Sequence, residues 1–216
     1  MLAAAGSGSR LGLDRPKAFA PLGGRPLLAE SLARLDASEW IDAIVVAAPP
    51  GWEESAILLT EELAASKVRA VVAGGATRAH SVSVALGEVS EDALVVVVHD
   101  AARPLIDEDV IERVLLPLGE GYDGAIPVVA VRDTMKRVEG GLVLGTVDRT
   151  GIVAAQTPQA FLASTLRSAC AAGSEDASDC ASLVERHGGR IRAVDGDVRL
   201  LKITTPADLA LVESWL

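Results

Sequence analysis

Four continuous apolar runs, rich in β-branched residues, set the architecture of this chain: Ala43–Ala48, Val68–Ala73, Leu94–Val98 and Ala125–Val131. Strands that read apolar on both faces are buried on both faces, as in a parallel sheet covered by helices. Between and around them the patterning predicts helices over Leu27–Leu35, Glu53–Ala65, Arg78–Leu86 and Glu108–Leu116. Such alternation predicts an α/β fold: a doubly wound, mostly parallel sheet with right-handed crossovers. Ligands of these sheets sit beyond the carboxyl ends of the strands, so the loops after the strands are where chemistry is to be sought.

The first such loop follows a very short start. Only five residues precede Gly6, so a central first strand would be a stub, and the recorded start could equally fall late. The run Ala3-Ala4-Ala5-Gly6-Ser7-Gly8-Ser9-Arg10 then leads to Pro16-Lys17. Gly6 and Gly8 leave no side chain between backbone and ligand, and successive N–H groups in such a loop form a concave anion site. Arg10 and Lys17 would add full charges, giving a loop that wraps a nucleoside triphosphate. An ordinary Gly/Ser turn with two solvated cations is the alternative reading. Two better-known phosphate loops are excluded. Gly6 leads to Leu11-Gly12 rather than to the Gly-Lys of a P-loop, and Leu11 stands where a dinucleotide fingerprint needs its third glycine. The strand Ala43–Ala48 also ends in Pro49-Pro50, with no acid to hold a ribose.

The second loop is Gly74-Gly75-Ala76-Thr77-Arg78-Ala79-His80-Ser81, where Thr77 caps a helix whose first turn presents Arg78 and Ser81 to an anion. The third is His99-Asp100-Ala101-Ala102-Arg103-Pro104. Asp100, at the end of a buried strand, is well placed to hold Mg²⁺ bridging phosphates, whereas His99 reads as a structural hydrogen-bonder. Asp107 reads as a helix N-cap. Further on, Asp133 to Arg149 reads as a β-hairpin around Gly140-Gly141, an apolar arm without a core that should pack on a second subunit. Ser178-Asp179-Cys180 is a polar turn entering a helix. Leu200–Thr204 reads as a short strand whose lone cation, Lys202, must face an anion. Thr205, Pro206 and Asp208 start a last helix.

Composition narrows the partners. The 216 residues are half apolar, ample for one domain over 1–216 with a dimerisation arm at about 133–149. A net charge of −10 argues against nucleic acid or an anionic membrane, and implies that cations for a polyanion must be concentrated locally, with a metal ion recruited. Cys170 and Cys180 lack metal-ligand spacing, which fits a reduced cytoplasm. No apolar run approaches a membrane span, and the first residues lack the basic and long apolar stretches of a signal peptide.

Taken in order, these stretches resemble the 2-C-methyl-D-erythritol 4-phosphate cytidylyltransferases of the non-mevalonate isoprenoid pathway. The matching pieces are Ala4–Arg10, Pro16-Lys17, Gly74–Ser81, His99–Pro104, Asp133-Thr134-Met135-Lys136, Asp148-Arg149, Gln156-Thr157-Pro158-Gln159 and Lys202-Ile203-Thr204. Each is weak alone; the ordered set is specific. The resemblance implies a Rossmann-like nucleotidyltransferase fold, and CTP plus methylerythritol phosphate giving a CDP-alcohol and pyrophosphate, with Mg²⁺. It implies that Arg10 and Lys17 stabilise the transition state and that Arg149 and Lys202 position the substrate phosphate. Asp100 would lie by the metal and ribose, Gly75 and Ser81 by the cytosine, and Ala4, Ala5, Gly6, Gly8, Arg78 and Ala101 along the nucleotide. Arg103, Thr134 and Ser178 would line the alcohol-phosphate site, and a homodimer would share its sites through the arm. A cytidylyltransferase for another polyol phosphate, such as ribitol 5-phosphate, uses similar loops and stays open, as do a nucleotide-binding regulator and, more remotely, an oxidoreductase. The chain departs from the family pattern at Leu200, where Asn is common, and at Cys180, where a carboxylate is usual.

Overall fold

The computed structural model describes residues 1–173 and 177–216. The chain opens with β1 (Leu2–Ala3), and a small hairpin of β2 (Pro21–Leu22) and β3 (Arg25–Pro26) leads to α1 (Leu27–Ala37). Strands and helices then alternate: β4 (Ile44–Ala48), α2 (Glu53–Glu62), β5 (Val68–Ala73), α3 (Arg78–Gly87), β6 (Val95–Asp100) and α4 (Glu108–Leu115). After β7 (Gly124–Ala130) come β8 (Lys136–Glu139), β9 (Leu142–Thr146), β10 (Val153–Ala155) and β11 (Gln159–Leu162). They are followed by α5 (Ala163–Ala171), α6 (Cys180–Arg186), β12 (Ile191–Asp195) and α7 (Pro206–Glu213).

The main sheet runs β5-β4-β1-β6-β11-β7-β12, with β10 pairing the far end of β7 on the side that β11 occupies. Pairs β1–β4, β1–β6, β4–β5 and β7–β12 are parallel, and β11 is antiparallel to both β6 and β7. The sheet is therefore mostly parallel, with an antiparallel insertion where the chain returns from the arm. The stub β1 does sit centrally: Leu2 and Ala3 pair with Val46 and Ala47 on one side and His99 and Asp100 on the other.

Helices cover both faces, as double winding requires. Leu28 and Leu32 of α1, Ala56 of α2 and Ile111 of α4 pack with Val46 of β4 in one apolar cluster. Val82 of α3, Leu166 of α5 and Leu183 of α6 pack with Val98 and Phe161 in another. Burial on both faces holds throughout β4, but β5, at the sheet edge, is only partly buried because it lacks an outer neighbour. Arg167 of α5 reaches across to donate to the carbonyls of Leu86, Val89 and Ser90, at 3.1, 2.8 and 3.0 Å. A cation on the carbonyls of Leu86, in the last turn of α3, and of the loop just after it satisfies acceptors left open at the helix end, and so steadies the helix that presents Arg78.

The cap residues behave as their chemistry dictates. Thr77, Asp107, Asp179 and Thr205 each accept a backbone N–H of the following helix through the side chain. The hairpin forms as expected: β8 and β9 pair antiparallel around Gly140 and Gly141, whose φ of 55° and 83° suit a tight hairpin turn. Every residue of both strands is exposed. One expectation fails. Leu200–Thr204 is not a strand; Val198–Leu200 forms a single 3-10 turn and the next four residues have no regular structure and no ladder. The parallel edge strand is instead β12, just upstream, which fills the place beside β7.

Candidate active site

The loops beyond β1, β5 and β6 meet over the carboxyl ends of their strands and enclose a cleft of about 360 Å³. Two of them touch without side chains in between. A Cβ on Gly74 would lie 2.2 Å from the Cβ of Ala5, so only glycine lets the β5 loop close on the β1 loop. Ser81, buried in the first turns of α3, accepts from Gly75 N at 3.0 Å and donates to Thr77 O at 2.8 Å, which fixes the curve of this loop.

Of the residues singled out from sequence, Ala4, Ala5, Gly6, Lys17, Gly75, Arg78, Ser81, Asp100, Ala101 and Lys202 all line this cleft. Gly8 lies behind it, in a left-handed conformation against Lys17, where a Cβ would come within 2.6 Å of the lysine Cβ. Arg10 stands exposed in the 3-10 turn Ser9–Leu11, outside the lining but close enough to act on Lys17 through its charge. Lys17 donates to Ile203 O at 2.9 Å. Burial, reinforced by Lys202, lowers its pKa to about 8.

Asp100 is the hub. Its Oδ1 accepts from Arg78 Nε at 2.9 Å and its Oδ2 from Lys202 Nζ at 2.7 Å, so Lys202 does face an anion, and that anion is Asp100. Burial pushes the carboxyl pKa up, but the two cations outweigh it and hold it well below the usual carboxylate range. Asp100 is the one carboxylate on the cleft wall among the described residues. No group of three or more His, Cys, Asp or Glu side chains converges among them either. A divalent ion here would be held mainly by phosphate oxygens, with Asp100 as the one carboxylate that the cleft wall offers.

A second cleft, of about 240 Å³, shares Arg78, Asp100 and Lys202 with the first. Arg103 and Ser178 line it, together with Thr157 and Gln159, which the sequence did not single out as ligand-facing. Thr157 accepts from Asp100 N at 3.0 Å and lies 3.1 Å from His99 Nδ1, while His99 Nε2 lies 3.0 Å from Arg103 O. A carbonyl can only accept, so Nε2 carries the proton and Nδ1 takes the threonine hydroxyl. Burial lowers the His99 pKa to about 4, keeping it a neutral structural link between the Asp100 loop and Thr157. Arg103 donates to Leu200 O at 2.5 Å, yet its Nε, like Arg78 Nη2, is a buried donor without a partner. Buried unpartnered guanidinium donors beside an open cleft are what an anion would satisfy.

Cys180, where a carboxylate was expected, takes Arg78 Nη1 at 3.5 Å; burial pushes its thiol up to about 11, so it contributes no charge. Besides Gly8 and Arg10, two further expected site residues line neither cleft. Thr134 is exposed at the base of the arm, and Arg149, also there, donates to the carbonyls of Val131 and Arg132.

The site can be set beside known proteins. The family model described as 2-C-methyl-D-erythritol 4-phosphate cytidylyltransferase matches residues 1–216. A protein of that name from Nocardia farcinica is 44% identical, covering 100% of this chain and 92% of the relative. One from Rhodococcus jostii is 45% identical, covering 99% and 92%. The crystal structure of the Thermus thermophilus enzyme of that name superposes with a TM-score of 0.80 at 34% identity, over 100% of this chain and 97% of that one. The Francisella tularensis enzyme gives 0.84 at 27% identity, over 100% and 98%. Such nucleotidyltransferases generally use divalent metals. With the match running from end to end, the chain belongs to the 2-C-methyl-D-erythritol 4-phosphate cytidylyltransferase family.

Proposed function

We propose that the protein joins CTP to 2-C-methyl-D-erythritol 4-phosphate, releasing pyrophosphate, with the nucleotide in the larger cleft and the acceptor in the smaller. The observation that carries this reading is the shared wall: Arg78, Asp100 and Lys202 border both clefts, so two substrates bound there would meet over one cluster of charge. A phosphate oxygen of the acceptor attacks the α-phosphorus of CTP, and the bond from that phosphorus to the bridging oxygen of the β-phosphate breaks. Such a transfer needs positioning and charge stabilisation more than covalent help. Lys17 and Arg10 balance charge on the triphosphate, Lys202 and Arg103 draw in the acceptor phosphate, and Ser178 lines its cleft. Gly75 and Ser81 lie by the base, with Ala4, Ala5, Gly6, Gly8, Arg78 and Ala101 along the nucleotide. The metal would be Mg²⁺, for which Asp100 would be the protein's carboxylate ligand, and it would neutralise phosphate charge.

The arm completes the reading. Val138, Leu142, Val143 and Leu144 are each more than half exposed on a hairpin with no core. Covering them with a second copy would make a homodimer and could carry Thr134 and Arg149 to the partner's acceptor cleft. Among the described residues no helix is long and apolar enough to cross a membrane. The cytoplasm, which holds CTP, is the proposed location. The relatives described above are named for methylerythritol phosphate, so ribitol 5-phosphate is not favoured as acceptor.

Base choice tests the nucleotide cleft. With methylerythritol phosphate as acceptor, initial rates of pyrophosphate release should favour CTP strongly over ATP and GTP, with UTP the nearest competitor. Groups that read a cytosine edge are left unpaired by the wrong base, and that penalty gives large discrimination. Comparable kcat/KM for ATP would refute this placement of the base.

A further inference from the structure

The segment from Gly196 to Thr204 has no strand ladder, yet it must deliver Lys202 to Asp100 and the Ile203 carbonyl to Lys17. Its upstream end is tied to β7 by Gly196 N, which donates to Val128 O at 2.8 Å, and one residue further on it is held by a side chain. Gln156 Oε1 accepts from Asp197 N at 3.1 Å, and Gln156 Nε2 donates to Asp197 O at 2.8 Å. The primary amide thus pairs with both main-chain groups of one residue, as a neighbouring strand would. Gln156 is 5% exposed, and its own N–H donates to Pro127 O at 2.8 Å, tying the amide's carrier to β7. Gly196 is fitted to this contact: a Cβ there would lie 2.3 Å from Gln156 Oε1 and 2.9 Å from Val128 O. The next residue, Thr157, holds the N–H of Asp100. Two consecutive residues therefore fix the two segments whose charges meet in the 2.7 Å pair of Lys202 and Asp100.

We propose that Gln156 is a positioning residue for the acceptor cleft. Gln156 borders the smaller cleft, but both ends of its amide are taken up by Asp197, so it acts by helping to set the register of the Gly196–Lys202 segment and bring Lys202 to the wall between the clefts. The proposal rests on the reading of the smaller cleft as the acceptor's. Misplacing a charged group by about 1 Å can cost on the order of 10²-fold when geometry governs the rate. With the ties at Gly196, Leu200 and Ile203 kept, we expect a smaller effect.

Gln156→Met keeps the length and removes both hydrogen bonds. It should raise the acceptor KM about 10-fold, the scale of one or two lost buried hydrogen bonds, while the CTP KM stays within about threefold. In a Lys202→Met background the same change should add nothing, because Gln156 acts through Lys202. Gly196→Ala, which pushes on the contact from the other side, should reproduce the split between the two KM values. If Gln156→Met does not fold, Gln156→Glu, which keeps the acceptor and loses the donor, must show that split instead. An unchanged acceptor KM with a lowered Tm, or additive effects with Lys202→Met, overturns the proposal. Absence of turnover in the wild type overturns the functional reading and this inference together; normal wild-type turnover with either earlier result overturns this inference alone.

Discussion

Lys17→Ala should lower kcat by roughly 10²- to 10³-fold, the scale for removing one preorganised charge from a developing anion. Loss of CTP affinity should be much smaller, because the loop from Ala4 to Gly6 still lines the larger cleft, where its backbone would meet the phosphates under the proposed reading. The structure adds a pH signature. With its pKa lowered to about 8, Lys17 is protonated below that value and neutral above it. The kcat/KM for CTP, which reports the free enzyme, should therefore fall as pH rises through about 8. Bound triphosphate favours the charged lysine, so the limb in kcat should move to higher pH. Lys17→Arg, which cannot deprotonate in this range, should abolish the limb whatever its residual rate. An unchanged kcat in Lys17→Ala would show that Ile203 O, and not the nucleotide, is the lysine's only business.

Arg149 makes the second large expectation. In a single chain it lies exposed at the base of the arm and lines neither cleft. If the arm crosses to a partner, Arg149 acts in trans and Lys17 in cis. Arg149→Ala and Lys17→Ala should then each be nearly inactive alone. Mixed in equal amounts and allowed to exchange, half the two-fold dimers are hybrids, each with one intact site, so about a quarter of wild-type activity should return. If the arm folds on its own chain, every site keeps a defect and the mixture stays inactive. That result, with exchange confirmed by mass, would refute the shared site.

The elements that could be read from the residues were those whose physics is local or fully buried. The strand Ile44–Ala48 and helix Leu27–Ala37 follow from apolar runs and periodicity, and the caps at Thr77, Asp107 and Thr205 from side chains that suit them. Edge strand β12 was missed because Arg192 and Asp195 interrupt its apolar pattern, as charges do on edges that must not pair further. Leu200–Thr204 looked like a strand because its residues suit one. Its conformation is set instead by Arg103, Ala102 and Lys17, with the Gln156 amide holding the chain just upstream, all brought from distant parts of the sequence, and no local pattern announces that. For the site, Asp100 and Lys202 could each be found as a charge at a strand end or in an apolar run. Thr157 could not, since its role depends on a buried histidine and a backbone N–H brought to it by the fold.

The account turns on the acceptor, and one assay addresses it directly: pyrophosphate release from CTP, with divalent metal present, against 2-C-methyl-D-erythritol 4-phosphate and ribitol 5-phosphate in parallel. Membership of the family, with two clefts joined at Arg78, Asp100 and Lys202, predicts rapid, saturable release with methylerythritol phosphate and far slower release with ribitol 5-phosphate. Faster release with ribitol 5-phosphate, or none with methylerythritol phosphate, would contradict it.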